Sequence, residues 1–248
     1  MNRYSKNAFY ISSEEQSVIK NTRVLLAGAG LGSNIAECLL RLGFEKLTIV
    51  DADTVDLTNL NRQNYVFHDI GTFKTTALKE RLMAINPEAQ IHDINEFIHE
   101  HNVEQIIRGQ KLAINALDFQ SSVPFIFDQL CIKYNIKVLH PYNFGWGSMV
   151  AVVTPESKQL CEISTDYRSF ETKMANYIFQ SGLLPNEFLT EVSPLLKRFL
   201  ESKTPMTPPQ LSVGSWLTAA LCTRITYAAS LNKPLKKFPD FYFISTLM

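Results

Sequence analysis

Short apolar runs alternate with amphipathic stretches of helical length along the first 140 positions of the chain. Residues 24–27 are uniformly apolar and end in glycines, the pattern of a buried strand. Ile35, Leu39 and Leu42 then recur at helical spacing, and Gly43 supplies a stop. Lys46–Val50 is a second apolar strand, closed by Asp51. A strand, a helix and a strand in this order predict two parallel strands joined by a right-handed crossover. A second helix is predicted over Lys74–Ile85, where Pro87 disfavours helical geometry at Asn86 and ends it. The alternation continues with a strand at Gln90–Ile94, a short helix at 103–108, a strand at 111–116, a helix at 122–134 and a strand at 137–140. Repeated units of this kind predict an α/β fold, a Rossmann-like and mostly parallel sheet with helices on both faces.

After Pro141 the pattern changes. Residues 149–153 form one more apolar strand, but 157–209 show no strand–helix rhythm. Residues 204–209, TPMTPP, predict a stiff non-helical link. Residues 211–231 are apolar with many small side chains and predict a core-packed helix, part of a C-terminal strand and helix extension. The chain is expected to be a single domain. It would have a nucleotide-binding core at 22–155, a crossover region covering the substrate at 156–210, and a C-terminal helix and tail at 211–248.

Composition narrows the function classes. Of 248 residues, 46% are hydrophobic and 19% charged, a balance that supports a sizeable core. The formal net charge of zero provides no broad field toward nucleic acid or an anionic membrane, so neither partner is expected. No apolar run approaches the roughly 18 residues of a membrane span, and residues 1–10 are polar, unlike a signal peptide. A cytoplasmic protein is expected. Cys38, Cys131, Cys161 and Cys222 form no CxxC pair, so they are read as buried, inert thiols rather than a zinc site or a disulfide framework. His99 and His101 are expected in solvent; His68, His92 and His140 have no partners at ligand spacing.

Three motifs carry candidate chemistry. Gly28-Ala29-Gly30-Leu31-Gly32-Ser33 falls where a strand turns into a helix, so backbone N–H groups can approach phosphates closely. Ser33 occupies the place of a third dinucleotide-fingerprint glycine. Asp51-Ala52-Asp53 lies about 20 residues on, where an acidic side chain commonly bonds ribose hydroxyls; this suits NAD and ATP equally. Then come Asn59-Leu60-Asn61-Arg62-Gln63 and Ile70-Gly71-Thr72-Phe73-Lys74. A nicotinamide enzyme has no use for this polar, cationic stretch. A triphosphate does, because arginine presents a planar fork to phosphate oxygens and lysine a mobile point charge.

Taken together, residues 22–87 resemble the adenylation domain of the ThiF/MoeB and ubiquitin-activating-enzyme superfamily. The resemblance rests on GAGLGS, on VDADTVDLTNLNRQ, on DIGTFK and on the helix ending in NP. It continues more weakly at Asn115-Ala116-Leu117-Asp118, at 147–155 and over 210–231, about two-thirds of the chain in all. It implies that Gly28, Gly30 and Gly32 cradle the nucleotide and that Asp51, with Asp53, faces the ribose. Arg62 and Lys74 would contact phosphates, with Asn59 and Gln63 in the same wall, and Asp118 would hold Mg2+ near the α- and β-phosphates. A homodimer is implied, with Arg3 or Lys6 reaching a phosphate across the interface. The implied activity is ATP-dependent adenylation of a carboxylate with release of pyrophosphate. The acid would be the C-terminus of a ubiquitin-like or sulfur-carrier protein, or a peptide or small acid.

Some positions depart from the family pattern. Lys6 replaces the second arginine of Arg-Tyr-x-Arg, Asn115 replaces the first aspartate of Asp-x-x-Asp, and the glycine turn is one residue shorter. The paired CxxC zinc ligands are absent, so no structural zinc is expected, and no cysteine lies between Cys161 and Cys222 to form a thioester. Two rival readings stand beside the enzyme: a non-catalytic subunit that binds a ubiquitin-like protein, and an NAD-dependent oxidoreductase.

Overall fold

The structure, a computed structural model, describes residues 3–201 and 209–247. Its centre is a seven-stranded sheet in the order β3-β2-β1-β4-β5-β6-β7. The strands are β1 (Arg23–Ala27), β2 (Lys46–Val50), β3 (Gln90–Ile94), β4 (Leu112–Asn115), β5 (Lys137–Asn143), β6 (Gly147–Val153) and β7 (Phe241–Ser245). The first five are parallel, and β6 and β7 add antiparallel. Only three residues separate β5 from β6, too few for a parallel crossover, so the chain must turn back on itself there.

Strand side chains alternate between two cores. Val24 and Leu26 of β1 face one, Leu25 and Ala27 the other. The first core is covered by α1 (Ser13–Asn21), α2 (Leu31–Leu42), α3 (Lys74–Ile85) and α8 (Ser212–Ser230). The second is covered by α4 (Val103–Ile107), α5 (Val123–Lys133), α6 (Tyr167–Gln180) and α7 (Asn186–Glu201). Each fully buried Leu, Ile or Phe contributes about 1.5–3 kcal/mol. A sheet apolar on both faces therefore requires both layers. This is the expected Rossmann-like α/β arrangement.

The region without rhythm, 157–209, contains two helices. In α6 the buried residues are Phe170, Met174 and Ile178, a stripe four residues apart that intervening polar residues obscure. In α7, Phe188 and Val192 are buried, and Pro194 lies inside the helix, where its sequence reads as a breaker. Of the 204–209 link, only Pro209 falls within the described residues. Two further elements were not anticipated. α1 starts on a reciprocal Ser12–Glu15 capping box but buries only Ile19, which leaves little apolar periodicity. β7 is a short aromatic strand whose burial depends on β6. The cysteines correct the expectation in part: Cys131 and Cys222 are buried, but Cys38 and Cys161 are only half-buried, packed at the edges of the two cores.

The long helix α8 reaches the sheet through its first turn. Asn143 donates its amide to the Leu211 carbonyl and to Ser215 Oγ, both at 3.0 Å. A Cβ on Gly214 would overlap Asn143 Oδ1 and lie 2.5 Å from the Gly145 carbonyl oxygen. Gly214→Ala is therefore expected to destabilise by about 1–3 kcal/mol. At about 2–4 °C per kcal/mol for a chain of this size, thermal unfolding will show a loss of several degrees; an unchanged melting temperature would mean that the helix start is not clamped.

Candidate functional site

In this sheet the chain leaves β1 toward α2 on one face and β4 toward α5 on the other. The two carboxyl ends, neighbours in the sheet, open a crevice where their connections diverge. Gly28 sits at its floor with φ +98°, and a Cβ there would lie 2.5 Å from the Ala116 carbonyl oxygen. Only glycine allows β1 to turn so close to the exit of β4. Gly30 starts α2, and Gln63 closes on it: an added Cβ would be 3.2 Å from Gln63 Nε2. Gly32 is different. It is buried, and its missing side chain faces Leu26 at an ordinary 3.8 Å, so it serves the packing of α2 on β1. Gly30, Leu31 and Gly32 begin the helix, where N–H groups lack intrahelical carbonyls and the dipole favours an anion.

Asp51 ties this turn down. Its Oδ2 accepts from Ala29 N at 2.7 Å and its Oδ1 from Asp53 N at 2.8 Å. Burial nonetheless pushes its carboxyl above the usual range, against the pull of those two N–H groups. The acidic residue expected to face a ribose is thus also the clamp of the glycine turn. Asp53 is exposed and pairs with Lys74, whose Nζ lies 2.8 Å from Asp53 Oδ2 while its stem is buried. Lys74 N also bonds the Asp53 carbonyl at 2.9 Å, which seats the start of α3 beside the acidic loop.

Asn59 and Arg62 belong to a compact loop. Asn59 Oδ1 accepts from Asp56 N at 2.9 Å, and the Asn59 carbonyl accepts from Arg62 N at 3.1 Å and Gln63 N at 2.9 Å. Asn59 therefore shapes the loop that presents Arg62 and Gln63. Arg62 is held by three acceptors: Thr58 O and Asn61 Oδ1, both at 2.8 Å, and Gln210 Oε1 at 3.1 Å. Gln63 Oε1 is buried without a hydrogen-bond partner among the described residues.

Asp118 follows β4 on the opposite wall. Its side chain is open to solvent on one side, and no hydrogen bond or ion pair engages it among the described residues. Desolvation by the wall behind it raises its carboxyl above the usual range; Lys74 and Arg62 pull it down, and Asp53 and Asp51 push it up. Asp118 thus lies within electrostatic range of Lys74, Arg62, Asp53 and Asp51. A single unengaged carboxylate among phosphate-compatible cations suits Mg2+, which takes one or two carboxylates and completes its shell with phosphates and water. Clusters of three or more metal-ligating side chains are absent among the described residues.

Arg3 and Lys6 lie elsewhere. Arg3 Nη1 donates to Asn86 Oδ1 at 2.6 Å, at the C-terminal end of α3, and Lys6 is exposed on the turn Ser5–Asn7, whose Asn7 bonds the Leu42 carbonyl. Both are at the sheet end away from their own chain's cleft.

Several contributors had no sequence signal. Ser33 replaces the expected third glycine by doing a different job: its hydroxyl donates to Gly30 O at 2.6 Å and accepts from Asn64 N at 2.9 Å, joining the arginine loop to the glycine turn. Buried Glu37 accepts from Asn64 Nδ2, Arg81 Nε (both 2.6 Å) and Arg41 Nε (2.8 Å). The Tyr65 hydroxyl donates to Ala29 O at 2.7 Å. His140 has no partner at ligand spacing along the sequence, but folding brings its Nε2 to 2.9 Å from Asp128 Oδ2. His68, His92, His99 and His101 are exposed.

Residues 4–223 match the sequence profile of the ThiF family. The chain belongs to the ThiF family. Among its curated relatives are the tRNA threonylcarbamoyladenosine dehydratase of Bacillus subtilis (strain 168), 35% identical over 121 residues, 48% of each chain. The "Probable molybdopterin-synthase adenylyltransferase" of Porphyra purpurea is 34% identical over 137 residues, 54% of this chain and 36% of that one. The SAMP-activating enzyme E1 of Haloferax volcanii is 25% identical over 162 residues, 63% and 59%. This ThiF chain thus spans between about a third and three-fifths of the length of those relatives. E. coli MccB, solved with AMPCPP and MccA, has the same fold: TM-score 0.71 at 18% identity, covering 100% of this chain and 71% of that one. PaaA superposes with a TM-score of 0.70 at 19% identity, covering 94% and 72%.

The loop holding Arg62 is braced by Glu37, which yields a prediction. Burial raises the Glu37 carboxyl, but Asn64, Arg81 and Arg41 outweigh it and hold it below the ordinary glutamate range. A depressed carboxylate contributes stability above its unfolded value, and the contribution disappears as pH falls through the folded value. Glu37→Gln is expected to lose about 1–3 kcal/mol at neutral pH, since a buried charge-assisted network is cut. Its deficit relative to wild type should shrink below about pH 4.5. Denaturant unfolding at pH 7 and pH 4 checks both; equal deficits at the two values would show that the ionised form is not what braces the loop.

Proposed function

We propose that this ThiF-family chain adenylates a carboxylate with ATP and releases pyrophosphate. The observation that carries the reading is the bonded chain from the glycine turn through Asp51 and Asp53 to Lys74, with Gln63 of the arginine loop against Gly30 and the unengaged Asp118 following the neighbouring strand β4. Relatives named as an adenylyltransferase and an E1 activating enzyme support it, as does the shared fold with MccB, which was also solved with ATP.

The chemistry asks little of acid–base groups. A carboxylate oxygen attacks the α-phosphorus, a P–O bond forms, and the bond to the pyrophosphate oxygen breaks. The carboxylate is already ionised at neutral pH, its ordinary pKa being about 4, so no proton has to be removed. What the reaction needs is positioning and relief of charge between two anions. The helix start supplies N–H groups to the phosphates, while Lys74 and Arg62 supply cations. The ion pair with Asp53 orients Lys74, which an incoming phosphate would draw away from the exposed carboxylate, and the neutral Gln210 orients Arg62 without offsetting its charge. Mg2+ held by Asp118 would supply charge neutralisation at the phosphates. Gly28 and Gly30 keep the floor open, and Asp51 both clamps the turn and offers a carboxylate to the ribose.

The substrate acid is read as the C-terminus of a ubiquitin-like or sulfur-carrier protein, or a peptide or small acid. The segment 156–210, whose described part includes α6 and α7 and of which residues 202–208 lie outside the described residues, would cover it, and no thioester step is expected. Cys161 is half-buried and burial pushes its thiol up, which disfavours the thiolate. A homodimer would be needed for Arg3 or Lys6 to reach a phosphate, since neither approaches the cleft of its own chain. No helix among the described residues is long and apolar enough to cross a membrane, consistent with a cytoplasmic location.

Two measurements test this. ATP with Mg2+ should raise the melting temperature and NADH should not; at 100 times its dissociation constant a ligand adds about 2.7 kcal/mol. A shift with NADH equal to that with ATP would replace this reading with the oxidoreductase. ATP–pyrophosphate exchange with candidate acids should fall roughly ten- to hundred-fold in Arg62→Ala, Lys74→Ala and Asp118→Ala, as expected for loss of about 1.5–3 kcal/mol per charge-assisted contact. The Arg62/Asp118 double variant should lose less than the two single losses combined, because both act on one set of phosphates. Wild-type exchange in all three folded single variants would sink the assignment.

A further inference from the structure

Directly behind Asp118 lies a buried polar set that packing alone does not require. Asn115 at the end of β4, Asp128 in α5 and His140 in β5 are 4%, 5% and 2% exposed. Asn115 uses both ends of its amide. Its Nδ2 donates to Asp128 Oδ1 at 2.9 Å and to the Pro124 carbonyl at 3.1 Å, and its Oδ1 accepts from Leu117 N at 3.3 Å. On the other side of Asp128, His140 Nε2 lies 2.9 Å from Oδ2, without the alignment of a straight hydrogen bond. A buried carboxylate costs free energy unless its oxygens are engaged, and an apolar side chain of the same shape would pack here more cheaply.

We propose that Asn115 and Asp128 are positioning residues that hold the turn at 115–118 so that Asp118 faces the cleft. The proposal rests on the reading of Asp118 as the magnesium-binding carboxylate. Asp128 fixes the orientation of the Asn115 amide, Asn115 fixes Leu117 N, and Leu117 precedes Asp118. It also explains a departure from the family pattern. An aspartate at 115 would set a carboxylate oxygen against Asp128 Oδ1 and the Pro124 carbonyl, two acceptors with no donor between them. In this chain the buried charge is carried by α5 and the neutral amide by β4. Asn115 is then the donor of this buried pair and not by itself the mark of an inactive subunit.

The test is ATP binding by calorimetry, with Mg2+ and with EDTA, in the absence of any acid substrate. The quantity read is the gain in affinity that Mg2+ confers. Asn115→Asp should reduce that gain by about three- to tenfold, the worth of one or two hydrogen bonds, and leave affinity in EDTA unchanged. Asp128→Leu, nearly isosteric and apolar, should keep the fold and lose the gain similarly. Asp128→Asn keeps an acceptor for the Asn115 amide and should retain the wild-type gain. The Asn115→Asp/Asp128→Asn pair restores a donor opposite an acceptor and should recover part of what Asn115→Asp loses. A wild-type gain in folded Asn115→Asp and Asp128→Leu overturns the positioning role. Equal loss of affinity with and without Mg2+ also overturns it, since that marks general damage to the site. A wild-type gain in Asp118→Ala overturns the underlying magnesium assignment instead, and only that arm can do so.

Discussion

The close approach of two strand ends is the constraint on which the cleft depends. β1 and β4 are neighbours, and their exits must pass each other on the way to opposite faces of the sheet. They do so with Gly28 against the carbonyl of Ala116, at a distance that admits no Cβ and with a backbone angle that L side chains rarely adopt. Both walls of the cleft start from that contact. From the β1 side come the glycine turn and the start of α2; from the β4 side come Asn115 and Asp118, one and two residues from the point of contact.

The cleft is then stiffened by polar bonds more than by apolar packing. Asp51 bridges the glycine turn and the acidic loop, Ser33 and Tyr65 tie the following loop to the start of α2, and Glu37 anchors that loop from beneath through Asn64. These bonds join segments up to 36 residues apart, so each cation is mounted on a frame and not on a free loop. This matters for a site that handles anions. A flexible lysine or arginine loses its advantage to hydration and side-chain entropy, whereas one already oriented gives up less on binding. Arg62 is the clearest instance: it is oriented by its own loop and by Gln210, on the approach to α8.

Burial raises the carboxyls of Asp51 and Asp118, while the charge of Glu37 is secured by three donors. The difference follows from placement. Glu37 lies beneath the cleft and is saturated with partners, so it acts as structure. Asp118 lies at the rim with its oxygens unengaged among the described residues, so it remains available to an incoming group. Asp51 is intermediate, with both oxygens already bonded to backbone N–H groups of the turn it supports.

Much of this was legible in the sequence because it is local. The βα alternation, the glycine turn, the spacing to Asp51 and the order of Arg62 and Lys74 depend on residues within one element of each other, where periodicity and backbone preference act directly. Even so, the stripe in α6 and the proline-bearing α7 escaped notice, because their apolar residues become a pattern only once a sheet exists to receive them. The tertiary structure alone decided the rest. It showed that Gly32 faces the core, that Ser33 replaces a glycine by a bond to Asn64, and that Gln210 orients Arg62 across 148 positions of chain. It also brought His140 to Asp128 and Asp128 to Asn115, which sequence spacing could not pair. Hydrogen bonds and desolvation act over a few ångströms, and which distant residues come within that range is set by how the strands are ordered, not by their separation along the chain.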